Sequence, residues 1–197
     1  MFISTLAVAE AKSRRRLENL SFLDHHLVKD TTPPDFIADL GEYALKTRES
    51  KEWNSGPKDD NLKRFRQQLA NLKRLYDAGL LIAAGTDAPY PGVFQGEGIH
   101  RELELLVEAG VPPLGAIAMA TGNAARLMGA GSEWGTLEAG RLADILVING
   151  RPDLKIQDTR NIEMVMHRGK VIDRERLKLD PKTDPGFRPV SPVIAGQ

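Results

Sequence analysis

The chain contains no cysteine. That absence removes disulfide staples, zinc–thiolate centres and cysteine nucleophiles together, and it fits a reducing, cytoplasmic setting. Charge of one sign is also missing, since 27 Lys plus Arg stand against 27 Asp plus Glu. A balanced chain has no overall field to draw nucleic acid or an anionic membrane, so neither is expected as a partner. No apolar run approaches the roughly 20 residues that span a bilayer. The segment from Met1 to Ala11 carries Ala7-Val8-Ala9, but no positive charge precedes its short apolar run, which argues for a buried strand rather than a signal peptide. What is present is ordinary for a globular protein: 41% apolar and 27% charged residues over 197 positions. That is enough for one large domain, or for a domain with a small appendage.

Hydrophobic spacing orders the chain. Phe2 to Val8, with β-branched Ile3, Thr5 and Val8, reads as a buried parallel strand. A strand buried on both faces needs two neighbours, so a portion N-terminal to it is expected to be missing. Ala9 to Leu20 is polar and helix-compatible, and Arg14-Arg15-Arg16 reads as a solvated face. After Thr31-Thr32-Pro33-Pro34 a helix is expected from Asp35 to about Arg48, then a surface loop from Glu49 to Lys58. Leu62, Phe65, Leu69, Leu72 and Tyr76 recur at helical spacing, with Lys63, Arg64, Gln67, Lys73 and Arg74 opposite. Gly79 stops that helix, and the short apolar run Leu80 to Gly85 follows as a strand, which makes half of a repeated α/β unit. Glu102 to Gly110 reads as another helix. Pro112-Pro113 opens a third, with Leu114, Ile117, Thr121, Ala124 and Met128 on one stripe. Beyond Gly135 the period changes: Ile145 to Ile148 is a strand ending at Asn149-Gly150, and two short strands flank Arg168-Gly169 as a hairpin. The last stretch, rich in proline, reads as an extended tail.

Chemistry concentrates in Gly85-Thr86-Asp87-Ala88-Pro89. Asp87 stands just past the C-terminal end of a strand, which in a β/α barrel is the rim where reactive groups collect. A carboxylate there can ligate a metal and accept a proton from a bound water. An Asp that merely caps a turn is an equal reading of those residues alone.

The wider pattern resembles the metal-dependent amidohydrolase superfamily, in its imidazolonepropionase and prolidase-like branch. The resemblance rests on Leu80 to Asp87, His100-Arg101-Glu102-Leu103 with Val107 to Gly110, Ala120-Thr121-Gly122-Asn123-Ala124-Ala125-Arg126-Leu127-Met128-Gly129, Gly135 to Val147, Val165 and Gly169-Lys170-Val171. It covers almost half the chain in one consistent order. It implies an α/β fold, the C-terminal part of a (β/α)8 TIM barrel plus strands of a small composite β-sandwich. The expected organisation is barrel over 1–132, sandwich segment over 133–180 and tail over 181–197. Asp87 matches the aspartate after the last barrel strand, as metal ligand and proton acceptor. His100 matches a histidine near the substrate.

The implied activity is metal-dependent hydrolysis of a C–N bond in an amide, cyclic amide or dipeptide-like small molecule, with a divalent metal, zinc in most members. The His-x-His pair and the other ligands of such members are absent here, so the metal site is incomplete in this chain. The four histidines are His25, His26, His100 and His167. Adjacent His25 and His26 read as surface or loop residues, since neighbouring side chains rarely converge on one ion. His167 reads as structural or exposed. The chain is therefore expected to be a fragment of a longer enzyme, a pseudogene-like truncated product or one half of a split assembly, and in isolation to form a homo-oligomer, to associate with a partner or to be unstable. The alternative is a non-catalytic truncated member acting as a binding or assembly module. A glycosidase pairing Asp87 with Glu97 or Glu102 is a weaker option, because both glutamates read as exposed loop and helix-start residues.

Overall fold

The computed structural model describes residues 1–49, 52, 53 and 56–180. The expected tail over 181–197 and part of the loop expected after Glu49 lie outside the described residues. The elements in chain order are β1 (Phe2–Ser4), α1 (Leu6–Lys12), α2 (Arg15–Glu18), α3 (His26–Lys29), α4 (Pro34–Glu49), β2 (Glu52–Trp53), β3 (Gly56–Pro57), α5 (Lys58–Asp77), β4 (Ile82–Ala84), α6 (Glu97–Glu108), α7 (Pro113–Ala120), α8 (Gly122–Leu127), β5 (Ile145–Ile148), β6 (Ile162–His167) and β7 (Lys170–Val171).

Two units of opposite character follow one another. In the first, β1 and β4 pair in parallel, Phe2 with Ile82, Ile3 with Ala83 and Ser4 with Ala84. A parallel pair needs a long crossover, and α1 to α5 supply it. α5 carries the expected stripe inward: Phe65 and Leu72 are buried, Leu62, Leu69 and Tyr76 half-buried, and Lys63, Arg64, Gln67 and Arg74 exposed. Burying each of the two fully enclosed side chains contributes about 1.5–3 kcal/mol. Gly79, at φ 73°, turns the chain into β4 in a conformation that an L side chain resists. Leu6, Val8, Ile82, Leu105, Leu106 and Met119 join the same core. A second cluster gathers Leu17, Leu23, Val28, Leu40 and Phe94 beneath α4.

In the second unit, β5, β6 and β7 form a three-stranded antiparallel sheet in that order. The β6–β7 turn is Arg168-Gly169, with φ of 49° and 79°. Two successive positive φ angles give the twist that a tight two-residue hairpin needs. β5 is not joined to β6 by such a turn, because a 3-10 segment, Ile156–Arg160, intervenes. Ile156 and Thr159 are both buried, and this segment lies against α6.

Four sequence expectations change. The strand expected over Phe2 to Val8 ends at Ser4, and Leu6 to Val8 are the buried start of α1. Phe2 and Ile3 are 42% and 53% exposed, and among the described residues β1 pairs with β4 alone. The arginine run is not a solvated face: Arg14 is buried, and Arg16 has its side chain only 9% exposed against Glu97. The helix expected after Pro112-Pro113 breaks at Thr121, where φ is −124° and ψ −94°. Its buried residues are Ala116, Met119 and Ala125, whereas Leu114 and Met128 face outward. Finally, α6 begins at Glu97, five positions before Glu102, and both glutamates are buried in it.

Candidate active-site rim

The C-terminal ends of β1 and β4 meet at one rim. Gly85 N–H donates to the Ser4 carbonyl at 2.7 Å, extending the parallel ladder one step past β4. A Cβ at Gly85 would lie 2.9 Å from Ile3 Cγ2 and 3.3 Å from the Ser4 carbonyl oxygen, so a side chain here would displace Ile3 and crowd that carbonyl. From β4's other side Asn123 Nδ2 donates to the Ile82 carbonyl at 2.9 Å. The chain then turns. Asp87 adopts φ 57°, a left-handed conformation that Asp tolerates better than most residues, and Ala88 N–H donates to Thr86 Oγ1 at 3.3 Å. Asp87 is exposed, and it lines a cavity of about 560 Å³ together with Ser4, Thr5, Lys12, Asn61 and Arg64. Lys12 Nζ stands 5.4 Å from the Tyr90 ring centre, within cation–π range.

Glu102 braces this rim from below. Its side chain is fully buried, yet it belongs to α6. Ser4 Oγ donates to Oε1 at 2.5 Å and Ala7 N–H donates to Oε2 at 2.7 Å. One carboxylate thus satisfies a first-turn N–H of α1, which has no side-chain cap from Thr5, and ties that turn to the end of β1. Burial pushes the Glu102 carboxyl up from its ordinary value, opposed by the hydrogen bonds from Ser4, Ala7 and Leu6.

A chain of ion pairs runs beside it. Arg101 grips Glu10 through two nitrogens at 2.6 and 2.8 Å and reaches Glu104 at 2.8 Å. Arg160 spans Glu104 at 2.7 Å and Glu97 at 2.9 Å. Glu97 also receives Arg16 at 2.7 Å, whose guanidinium stacks 3.8 Å from the Phe22 ring centre. Burial opposes charge on Glu104, but hydrogen bonds and charge from Arg160 and then Arg101 outweigh it and hold the carboxyl below its usual range. For Arg16 burial wins and lowers its pKa in spite of Glu97. Glu97 and Glu102 are therefore engaged inside the fold, and neither lines the Asp87 cavity. The two-carboxylate arrangement of a glycosidase is not formed by them.

His100 lies on α6, buried to 6% exposure, with Nδ1 3.0 Å from Thr159 Oγ1. Thr159 Oγ1 donates its one proton to the Ile156 carbonyl at 2.8 Å. The proton between His100 and Thr159 must then sit on Nδ1, leaving Nε2 as the lone-pair nitrogen. Burial, reinforced by the charge of Arg160, pushes the imidazole down to about 4. His100 does not line the cavity that Asp87 lines; it joins α6 to the segment before β6. His25 Nδ1 accepts the Leu27 N–H at 3.2 Å and so caps α3. His167 is exposed, with Nδ1 2.9 Å from Asp144.

As a metal centre, the rim offers one suitable donor, Asp87. Among the described residues no group of three or more His, Asp or Glu side chains could hold a metal ion. A catalytic centre usually takes about three protein ligands and an open position, so these residues alone do not fit a complete metal centre.

The sequence matches the model of the amidohydrolase family over residues 21–172, and the chain belongs to that family. Family members generally use divalent metals. Three solved structures locate it further. A Xaa-Pro dipeptidase with bound methionine shares 28% identity at a TM-score of 0.54, over 68% of this chain and 32% of the dipeptidase. A candidate prolidase from Bifidobacterium longum shares 34% at 0.53, over 59% and 29%. A molinate hydrolase shares 27% at 0.54, over 64% and 31%. The chain stands in the prolidase-like branch, with a mixed α/β architecture related to the TIM barrel. It spans about a third of the length of these structures. No curated protein matches the sequence. Among the described residues no helix is long and apolar enough to cross a membrane.

Proposed function

We propose that this chain carries the last strands of an amidohydrolase barrel, with β5 to β7 as part of a composite β-sandwich, and that it serves hydrolysis of a C–N bond in an amide, cyclic amide or dipeptide-like small molecule. The observation that carries the proposal is Asp87, exposed on a cavity at the joined ends of two parallel strands, with Gly85 closely packed against β1 two residues before it. In this role Asp87 accepts the proton of the attacking water and returns it to the departing nitrogen. A divalent metal, zinc on our reading, would when bound polarise the carbonyl and make that water easier to deprotonate. Asp87 would be one of its ligands, with the others drawn from outside the described residues. A substrate contact for His100 rests on the resemblance alone. The absence of cysteine favours a cytoplasmic setting.

The test is hydrolysis of Xaa-Pro dipeptides and N-acyl amino acids by two samples: the 197-residue chain alone, and the same chain with any coding sequence that precedes it in frame. Turnover that stops on chelation and returns with zinc supports the proposal. A binding or assembly module, the second reading, is motivated by the single metal donor among the described residues. It predicts no turnover in either sample and no zinc retained per chain.

A further inference from the structure

We propose that Glu102 is the positioning residue of this rim, setting the place of Asp87 through the end of β1. The inference rests on the reading of Asp87 as the reactive carboxylate.

Glu102 is one side chain reaching three elements. It projects from α6, receives Ser4 Oγ at 2.5 Å from the last residue of β1, and receives Ala7 N–H at 2.7 Å from the first turn of α1. Ser4 in turn accepts Gly85 N–H at 2.7 Å through its carbonyl, two residues before Asp87. The path is therefore Glu102, Ser4, Gly85, Asp87: two short hydrogen bonds, then two residues of backbone in which Asp87 takes φ 57°. Ser4 is 1% exposed and Glu102 0%, and Gly85 is pressed against Ile3 and the Ser4 carbonyl too closely for a Cβ to enter without displacing Ile3. A shift of the Ser4 end of β1 is thus passed on to Gly85 rather than absorbed. The carboxylate also explains why the strand stops where it does. By taking the Ala7 N–H it starts α1 at Leu6 and ends β1 at Ser4, which leaves Ser4 and Thr5 at the cavity. No closer side chain does this work, since Thr5 makes no capping bond. A carboxylate or a carboxamide of this length can hold both contacts: in Glu102→Gln the amide oxygen accepts from Ala7 and the NH2 group donates to Ser4 Oγ. An alanine holds neither.

The experiment is site-resolved amide hydrogen exchange on the 197-residue chain. It compares wild type, Glu102→Ala, Glu102→Gln and Ser4→Ala, with Gly85 and Ala7 as reporters and Val147 in β5 as the distant reference. In Glu102→Ala, exchange at Gly85 and Ala7 is expected to rise more than about tenfold relative to Val147, the scale of one lost buried hydrogen bond. Glu102→Gln is expected to stay within about threefold of wild type. Equal acceleration of all three amides, no change at Gly85, or a glutamine variant no better than alanine would each overturn the proposal. If the alanine variant fails to fold, Ser4→Ala decides: faster Gly85 exchange supports positioning through β1, and unchanged exchange overturns it. Because exchange is read without substrate, its failure is distinct from a failure of Asp87 as the proton acceptor, which only turnover measures.

Discussion

His100 shows how a residue's surroundings can redirect what its type suggests. Its ring is enclosed between α6 and the Ile156–Arg160 segment, its Nδ1 proton is committed to Thr159, and burial lowers its pKa from 6.5 to about 4. The native state then binds fewer protons than the unfolded chain between those values. Stability supplied by the neutral ring is complete above pH 6.5 and is lost as pH falls toward 4, by about 3 kcal/mol. Urea unfolding of wild type and His100→Gln at pH 7 and pH 4 checks this. The wild type is expected to lose about 3 kcal/mol more than the variant over that interval; parallel losses would show that the ring does not resist protonation. Glu102 is a second case. It shares four-residue spacing with Gly98 and Leu106 on the buried side of α6, and a carboxylate on an apolar stripe is the one local signal that marks it as more than a helix-start residue.

Among the elements, α6 is the hub. Its Glu97, Arg101, Glu102 and Glu104 face partners on β1, α1, α2 and the segment before β6. Arg160 fastens the C-terminal sheet to the barrel-like unit by holding two carboxylates at once. Replacing it with methionine leaves Glu97, a fully buried carboxylate, paired with Arg16 among the described residues. Unfolding free energy is expected to fall by about 1.5–3 kcal/mol, the range for a lost hydrogen bond to a charged group, because Arg16 still pairs with Glu97 and Arg101 with Glu104. Adding Glu97→Gln should restore part of the loss. By contrast, Lys29→Ala, which removes an exposed pair with Asp24, should change stability by less than about 1 kcal/mol. Denaturant titrations of the three variants separate these cases, and equal effects from Arg160 and Lys29 would contradict the fastening role of Arg160.

The same contrast explains what could be read in advance. α5, the strand run into Gly85 and the Arg168-Gly169 hairpin were legible because periodicity and glycine act over a few neighbouring residues. The helix at Leu6 to Val8 was not, because the group that starts it lies 95 positions away in Glu102. The buried arginine run was hidden likewise, since Arg16 finds Glu97 across 81 positions. The place of Asp87 just past β4 was legible from the short apolar run before it. The Ser4–Glu102 brace was not, since no spacing rule links residues 98 positions apart.

For the whole molecule, the exposed edge of β1 is the feature with consequences. Phe2 and Ile3 are 42% and 53% exposed on a strand whose one described partner is β4, and an uncovered, apolar strand edge promotes association. The 197-residue chain is expected to migrate above its monomer mass of 21.7 kDa in light-scattering chromatography, and Ile3→Lys is expected to shift it toward the monomer. A concentration-independent monomer would show that this edge is covered within the chain.

The account as a whole stands on the carboxylate at position 87. The most direct measurement is kcat/KM for amide hydrolysis by the active, metal-loaded protein and by its Asp87→Asn form, which keeps size and polarity but loses the ability to accept a proton. A fall of about 100- to 10,000-fold is predicted, the usual contribution of a general base. Retention of activity within a factor of about two, well below that range, would contradict the assignment.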